Sequence, residues 1–318
     1  MYENNIFETL NKGDSAVIAG HISPDGDAVS SVFAFSMAIA RKGVTPIILL
    51  EEYADRFNYL KGAEYLYKGD YDALSPKYFF ALDCGDKERL GAAAKVFDRA
   101  DVTYNIDHHI SNTLFADFNI VNPKASSASE VVYEIIKDKC DITSDIADAI
   151  YSGIVFDTSG FKHNSTSCRT HEIAGKLVEM GVDTAFIHSK ILYEHTLSQV
   201  KVMGCAINNF KLIGDIACST VTKAELDACG AKSGDTEGIV EYLLNIDGVG
   251  VSALLTEREG GKVKISLRSK KCNVNKVAAS FGGGGHILAA GASSALPIDK
   301  TAELLVARIE EEKANDEQ

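Results

Sequence analysis

Three short apolar runs in this chain each end on an acidic residue or a histidine, and this pattern restricts the fold more than any other feature. Ser15-Ala-Val-Ile-Ala-Gly20 leads into His21-Ile-Ser-Pro-Asp25-Gly-Asp27, Lys77-Tyr-Phe-Phe-Ala-Leu82 into Asp83-Cys-Gly-Asp86, and Val102-Thr-Tyr-Asn-Ile106 into Asp107-His108-His109. Runs this short and this apolar read as strands covered on both faces. Another strand is expected at residues 44–50, after a long apolar helix over 28–40 that Gly43 stops. Helices are also expected over 87–100, 126–139 and 144–156, the last followed by Asp157. Strands separated by helices pair in parallel, so their carboxyl ends share one edge of the sheet, where open α/β proteins bind ligands.

Beyond about residue 185 the order changes. Residues 183–209 carry a helical pattern without strands, followed by a hairpin turning at Gly214-Asp215 and a helix over 236–245. A second hairpin turns at Glu259-Gly260-Gly261, and a short helix over 273–280, a glycine loop over 282–286 and a terminal helix over 298–312 complete the chain. The expected fold is therefore α/β: an N-terminal, mainly parallel sheet flanked by helices, plus a smaller C-terminal α/β domain. The expected boundaries are 1–185 for the first domain, 186–209 for a helical linker and 210–318 for the second. The acidic tail after Glu310 reads as a solvated helix end.

Composition narrows the function. With 318 residues, 46% of them hydrophobic, the chain can bury a large core or two. Against 45 acids it has 32 Lys and Arg, a formal charge of -13, and such a surface repels long nucleic acid. Any nucleic acid substrate is expected to be short, with no long duplex bound. The seven cysteines form no CxxC pair, which disfavours both a disulfide framework and a cysteine-rich zinc site. No run approaches 18 uncharged apolar residues, and the start lacks a secretory pattern, so a cytoplasmic protein without membrane attachment is expected.

His21, Asp25, Asp27, Asp83, His108 and Asp157 together offer four carboxylates and two imidazoles. That is enough for two divalent cations sharing a carboxylate, a device suited to phosphate esters because it activates water and neutralises charge on attacking and leaving oxygens. Imidazole among the donors favours Mn²⁺, with Mg²⁺ as the alternative. Singly, each residue has a plainer reading: Asp27 or Ser23 could cap the following helix, Asp86 the one from Lys87, and Asp157 could face water. In the second domain, Gly283, Gly284 and Gly285 would let backbone N–H groups approach an anion, with His286 as a further donor and Arg268 as a planar partner for phosphate. His163, Arg169 and His171 are weaker candidates to reach substrate, and Cys84 reads as a small wall residue.

These motifs resemble the DHH phosphoesterases, named for the triplet that stands here as Asp107-His108-His109. The resemblance extends over His21 to Asp27, Leu82 to Asp86, Phe156-Asp157-Thr-Ser-Gly160 and, in the second domain, Arg268-Ser269 with the glycine stretch before His286, so it covers almost the whole chain. It implies that His21, Asp25 and Asp83 hold one metal ion, and that Asp27, Asp83, His108 and Asp157 hold another. Asp83 and His108 would then act at the reacting centre, Asp107 would orient its neighbours, and His109 would be a candidate to stabilise the leaving oxygen. Arg268, Ser269, Gly283, Gly284, Gly285 and His286 would bind substrate, gripping a terminal phosphate or the far nucleotide.

The form Phe161-Lys-His-Asn-Ser-Thr166 and the chain length are most similar to the branch that hydrolyses RNA of about 2 to 5 nucleotides and dephosphorylates 3'-phosphoadenosine 5'-phosphate. Short RNA or DNA and small nucleotides are thus the expected partners, and a homodimer is compatible with that reading. The alternatives are a phosphodiesterase for linear or cyclic dinucleotides and, from another class, a nucleotide-binding sensor without catalysis.

Overall fold

Alternation along the first strand shows why this segment occupies the middle of a sheet. In β1 (Ser15–Ala19) Ala16 and Ile18 enter one core and Val17 and Ala19 another, as a side-chain period of two requires when both faces are covered. β2 (Thr45–Leu49) and β3 (Tyr78–Leu82) flank it, and β4 (Val102–Asp107) and β5 (Phe118–Val121) follow. The computed structural model, which describes residues 6–232 and 234–316, orders them β2-β1-β3-β4-β5, every pair parallel. The order reverses between β1 and β3, and a crevice opens at such a switch point beyond the carboxyl ends of the strands. β5 was not expected from the sequence; it is a four-residue edge strand, too short to show a period.

On one face lie the helices Gly26–Arg41 and Ser144–Asp157, with Phe33, Phe35, Ile150 and Ile154 packed on Phe80 and Ile18. Phe79 turns to the other face, against Leu90, Val96 and Phe97. Each fully buried aromatic of this kind contributes about 1.5–3 kcal/mol. The helix expected over 87–100 is instead a 3-10 turn at Glu88–Ala93, kinked at Gly91 (φ 53°, ψ -126°), and then a single α-helical turn at Ala94–Phe97. The cause is tertiary: Ile22, in the loop after β1, packs against Gly91.

A second compact unit, His195–Gln318, follows the first, Met1–Glu194. The segment expected as a linker divides between them, and Val202 and Ala206 of the helix Leu197–Asn209 are buried in the core of the second unit. Its sheet runs β10-β11-β9-β8-β7-β6, from β6 (Lys211–Ile213), β7 (Ile216–Val221), β8 (Val251–Glu257), β9 (Val263–Ser269), β10 (Gly284–His286) and β11 (Ala289–Ser294). Only the β7–β8 pair is parallel.

The helix expected over 236–245 begins at Ile239, because Gly238 before it takes a left-handed conformation (φ 80°). The terminal helix runs Ile298–Asp316, and the last two residues of the acidic tail lie outside the described residues. The glycine loop expected over 282–286 is in part the edge strand β10, paired with β11. A Cβ on Gly283 would stand 2.2 Å from the carbonyl oxygen of Gly291, so only glycine allows so close an approach.

Candidate metal centre

The loop after β1 divides its two aspartates between different tasks. Asp25, not Asp27 or Ser23, caps the helix Gly26–Arg41: its Oδ1 accepts from the backbone N–H groups of Asp27 and Ala28, each at 3.1 Å. Asp27 is wholly buried and points across to the start of the helix Ala128–Ile136. There Ala128 N donates to Oδ2 at 2.5 Å, and Ser129 donates to Oδ1 through its backbone at 3.0 Å and its hydroxyl at 2.5 Å. Gly153 makes room for this junction, since a Cβ there would fall 1.9 Å from Ser129 Oγ and 2.5 Å from Asp27 Oδ1. Burial, reinforced by the negative charge of Asp83, pushes the Asp27 carboxyl up to about 7.

Asp83 sits at the end of β3 with a left-handed backbone (φ 55°), a conformation that costs an L-residue about 1–2 kcal/mol. It is 4% exposed, and its two oxygens face different groups. Oδ2 lies 3.7 Å from His21 Nε2, whereas Oδ1 lies 3.5 Å from His108 Nε2 and 3.7 Å from His109 Nδ1. Oδ1 is buried without any hydrogen-bond partner among the described residues. His21 Nε2 is also 3.7 Å from Asp25 Oδ1, and His108 Nε2 is 3.2 Å from Asp157 Oδ2, at the end of the helix Ser144–Asp157.

Most of these separations are too long for hydrogen bonds. They suit donors around a common cation, because two ligands about 2.1 Å from one centre lie about 3.0–3.7 Å apart as the angle between them opens from about 90° to about 125°. Three groups, each with ligand atoms mutually within 4.8 Å, emerge: His21, Asp25 and Asp83; Asp27, His108 and Asp157; and Asp83 with Asp107, His108 and His109. The five carboxylates of these groups, one oxygen unsatisfied, form a donor set that fits divalent cations. Burial disfavours a charged His108, yet its contact with Asp83 and the charges of Asp27 and Asp157 carry it up to about 10. Burial likewise pushes the Asp157 carboxyl well up, with Asp27 and Asp83 adding to the effect.

Asp107 stands one step behind. It is fully buried, and its Oδ1 accepts from His109 Nδ1 at 2.7 Å while Oδ2 accepts from Asn112 Nδ2 at 2.5 Å. The Asp107 contact holds the His109 imidazole above its ordinary range. The His109 side chain is 44% exposed. Asn112 was missed from the sequence; its amide also reaches Asn105 Oδ1 (2.7 Å) and the carbonyl of Cys84 (3.2 Å), so it ties the loops after β3 and β4 together. An amide five residues after Asp107, within a loop, was the available signal.

The other candidates separate from these groups. Arg169 binds Glu134 and Glu172, His171 stacks on Phe161 with centroids 5.2 Å apart, and His163 Nδ1 meets the carbonyl of Asp157 at 2.9 Å. Cys84 is a buried thiol, pushed well up by burial and by Asp83.

In the second unit, Arg268, Gly283, Gly284, Gly285 and His286 line one cavity of about 830 Å³. Lys264 and Ser266, also on its wall, were missed, although the period of two along β9 puts them on the face of Arg268. Arg268 Nε pairs with Glu241 at 2.7 Å. Ser269 is not on the cavity wall, and its Oγ accepts from Lys271 N.

A cluster of acids and imidazoles at the carboxyl ends of the strands, by the switch point of a parallel sheet, suits a hydrolase that works on phosphate esters. Residues 15–154 match the DHH family, N-terminal domain, and residues 219–314 match the DHHA1 domain, and the chain belongs to the DHH family of phosphoesterases. It is 29% identical over 310 residues to the bifunctional oligoribonuclease and PAP phosphatase NrnA of Bacillus subtilis, covering 92% of this chain and 93% of that one. The protein of the same name from Thermus thermophilus is 28% identical, over 93% of this chain and 89% of that one. A solved structure of an exopolyphosphatase-related protein from Bacteroides fragilis is similar at a TM-score of 0.87 and 28% identity, covering 96% of this chain and 94% of that chain.

Proposed function

We propose that this chain hydrolyses RNA of about 2 to 5 nucleotides to mononucleotides and also removes the 3'-phosphate of 3'-phosphoadenosine 5'-phosphate, with two divalent cations as cofactors. The observation that carries this is Asp83, whose two oxygens face two separate donor groups while one of them has no hydrogen-bond partner. Relatives matched along nearly their whole length carry names for both activities.

On this reading His21, Asp25 and Asp83 hold one ion, and Asp27, Asp83, His108 and Asp157 the other. Bound there, the pair lowers the pKa of water and neutralises charge on the phosphate. Imidazole donors favour Mn²⁺ over Mg²⁺. Asp107 fixes the His109 ring through Nδ1–H, which leaves Nε2 to hold the proton that the departing ribose oxygen takes up. Asn112 keeps Asp107 in place for that role. The cavity of the second unit takes a phosphate group, held by Arg268 and by backbone N–H groups along the glycine strand.

The test is purified protein with Mn²⁺, given labelled RNA of 2, 3, 5 and 24 nucleotides beside 3'-phosphoadenosine 5'-phosphate and cyclic dinucleotides. Mononucleotides should appear fastest from the three shortest RNAs. Faster turnover of cyclic dinucleotides, or no turnover of any short RNA, overturns the proposal.

A further inference from the structure

Arg89 follows the Asp83 loop, and it is exposed at the carboxyl edge of the sheet. Its backbone is fixed: Arg89 N donates to Asp86 Oδ1 at 2.9 Å, and its carbonyl accepts from Ile22 N at 2.7 Å, locking this turn to the loop that carries His21. Its guanidinium Nη2 lies 3.0 Å from His21 Nδ1. Arg41, Arg99, Arg169, Arg268 and Arg308 each pair with a carboxylate. Arg89 makes no ion pair among the described residues, although acids outnumber Lys and Arg by 45 to 32.

His21 Nδ1 has a second neighbour, the carbonyl oxygen of Ile22 at 2.8 Å. The two contacts make opposite demands on one nitrogen. Ile22 O requires a hydrogen on Nδ1, whereas Arg89 requires a lone pair there. When His21 gives its Nε2 lone pair to a cation, Nδ1 carries the hydrogen and donates to Ile22. Arg89 then has no acceptor in His21, and a planar guanidinium with free donors stands at the rim of a centre built for phosphate esters.

We propose that Arg89 is a phosphate-binding residue of the metal centre, gripping a non-bridging oxygen of the substrate's phosphate once His21 is engaged. This rests on the phosphoesterase reading above.

The test compares wild type with Arg89→Ala and Arg89→Lys, measuring AMP binding and Mn²⁺ binding by calorimetry, and KM and kcat on a diribonucleotide. For Arg89→Ala, loss of a charge-assisted contact should weaken AMP binding and raise KM by about tenfold or more, with Mn²⁺ affinity changed by less than about twofold. Arg89→Lys should recover part of the AMP affinity, because it restores charge without the fork. Unchanged AMP affinity in Arg89→Ala overturns the proposal. So does a loss of Mn²⁺ affinity as large as the loss of AMP affinity, which would mean that Arg89 only positions His21. If wild type cleaves no short substrate the functional reading falls separately, while the AMP titration still decides the role of Arg89.

Discussion

The two candidate sites handle charge in opposite ways. The centre of the first unit gathers acids: Asp27 and Asp83 are buried, and Asp27 has partners on all its oxygens while Asp83 leaves one bare. The cavity of the second unit is lined by Lys264, Arg268 and His286, with Arg268 balanced by Glu241 at its edge. On the proposed reading one site takes cations and the other an anion. A phosphate ester needs both, since its charge is neutralised at the reacting atom and read elsewhere.

Replacing Asp83 should break the first half of this contrast most severely. Asp83→Ala removes the carboxylate that faces both donor groups, so diribonucleotide hydrolysis should fall by more than about 100-fold, beyond what outer-shell partners cost, and Mn²⁺ titration should lose both binding events. Arg268→Ala tests the other half: KM should rise about 10- to 100-fold, as removal of a charge-assisted hydrogen bond implies, while Mn²⁺ affinity stays put. Equal losses of Mn²⁺ affinity in the two variants would erase the distinction.

A smaller effect is expected from Asn112→Ala, which should lower kcat about tenfold by loosening Asp107 and His109 with KM little changed. Acidity sharpens the comparison further. The raised His108, at about 10, and Asp27, at about 7, hold protons in the cation-free protein that a bound ion must displace. Mn²⁺ affinity should therefore climb as pH is raised from 6 to 8, by about tenfold per unit for the His108 proton and, below about pH 7, by a further tenfold per unit for the Asp27 proton. Calorimetry in buffers of different ionisation enthalpy checks this through the protons released, and a flat affinity profile would contradict it.

Much of the first unit was legible because its strands announce themselves: unbroken apolar runs end on the residues that do chemistry. The same reasoning missed what only packing decides. The segment after Asp83 looked helical, yet Ile22 sits against Gly91 and the helix gives way to a kinked 3-10 turn. The sequence offered Asp27 or Ser23 as the cap, yet Asp25 takes that role, because Asp27 turns to Ala128 and Ser129, which only the tertiary fold brings near. In the second unit the glycine stretch carried no strand signal, because residues without a Cβ have little intrinsic preference for a sheet. Ser269, adjacent to Arg268, alternates to the opposite face, as neighbouring strand residues must.

The tie between Asp27 and Ser129 joins residues 102 positions apart. It gives the site a folding history, because closing so long a loop is entropically costly until the sheet and both flanking helices have assembled. A fragment that ends before Asp157 would lack part of the proposed donor set. Any cation that prefers the native chain stabilises it by mass action. On the two-cation reading proposed above, the supply of metal and the persistence of this unit's fold are one equilibrium.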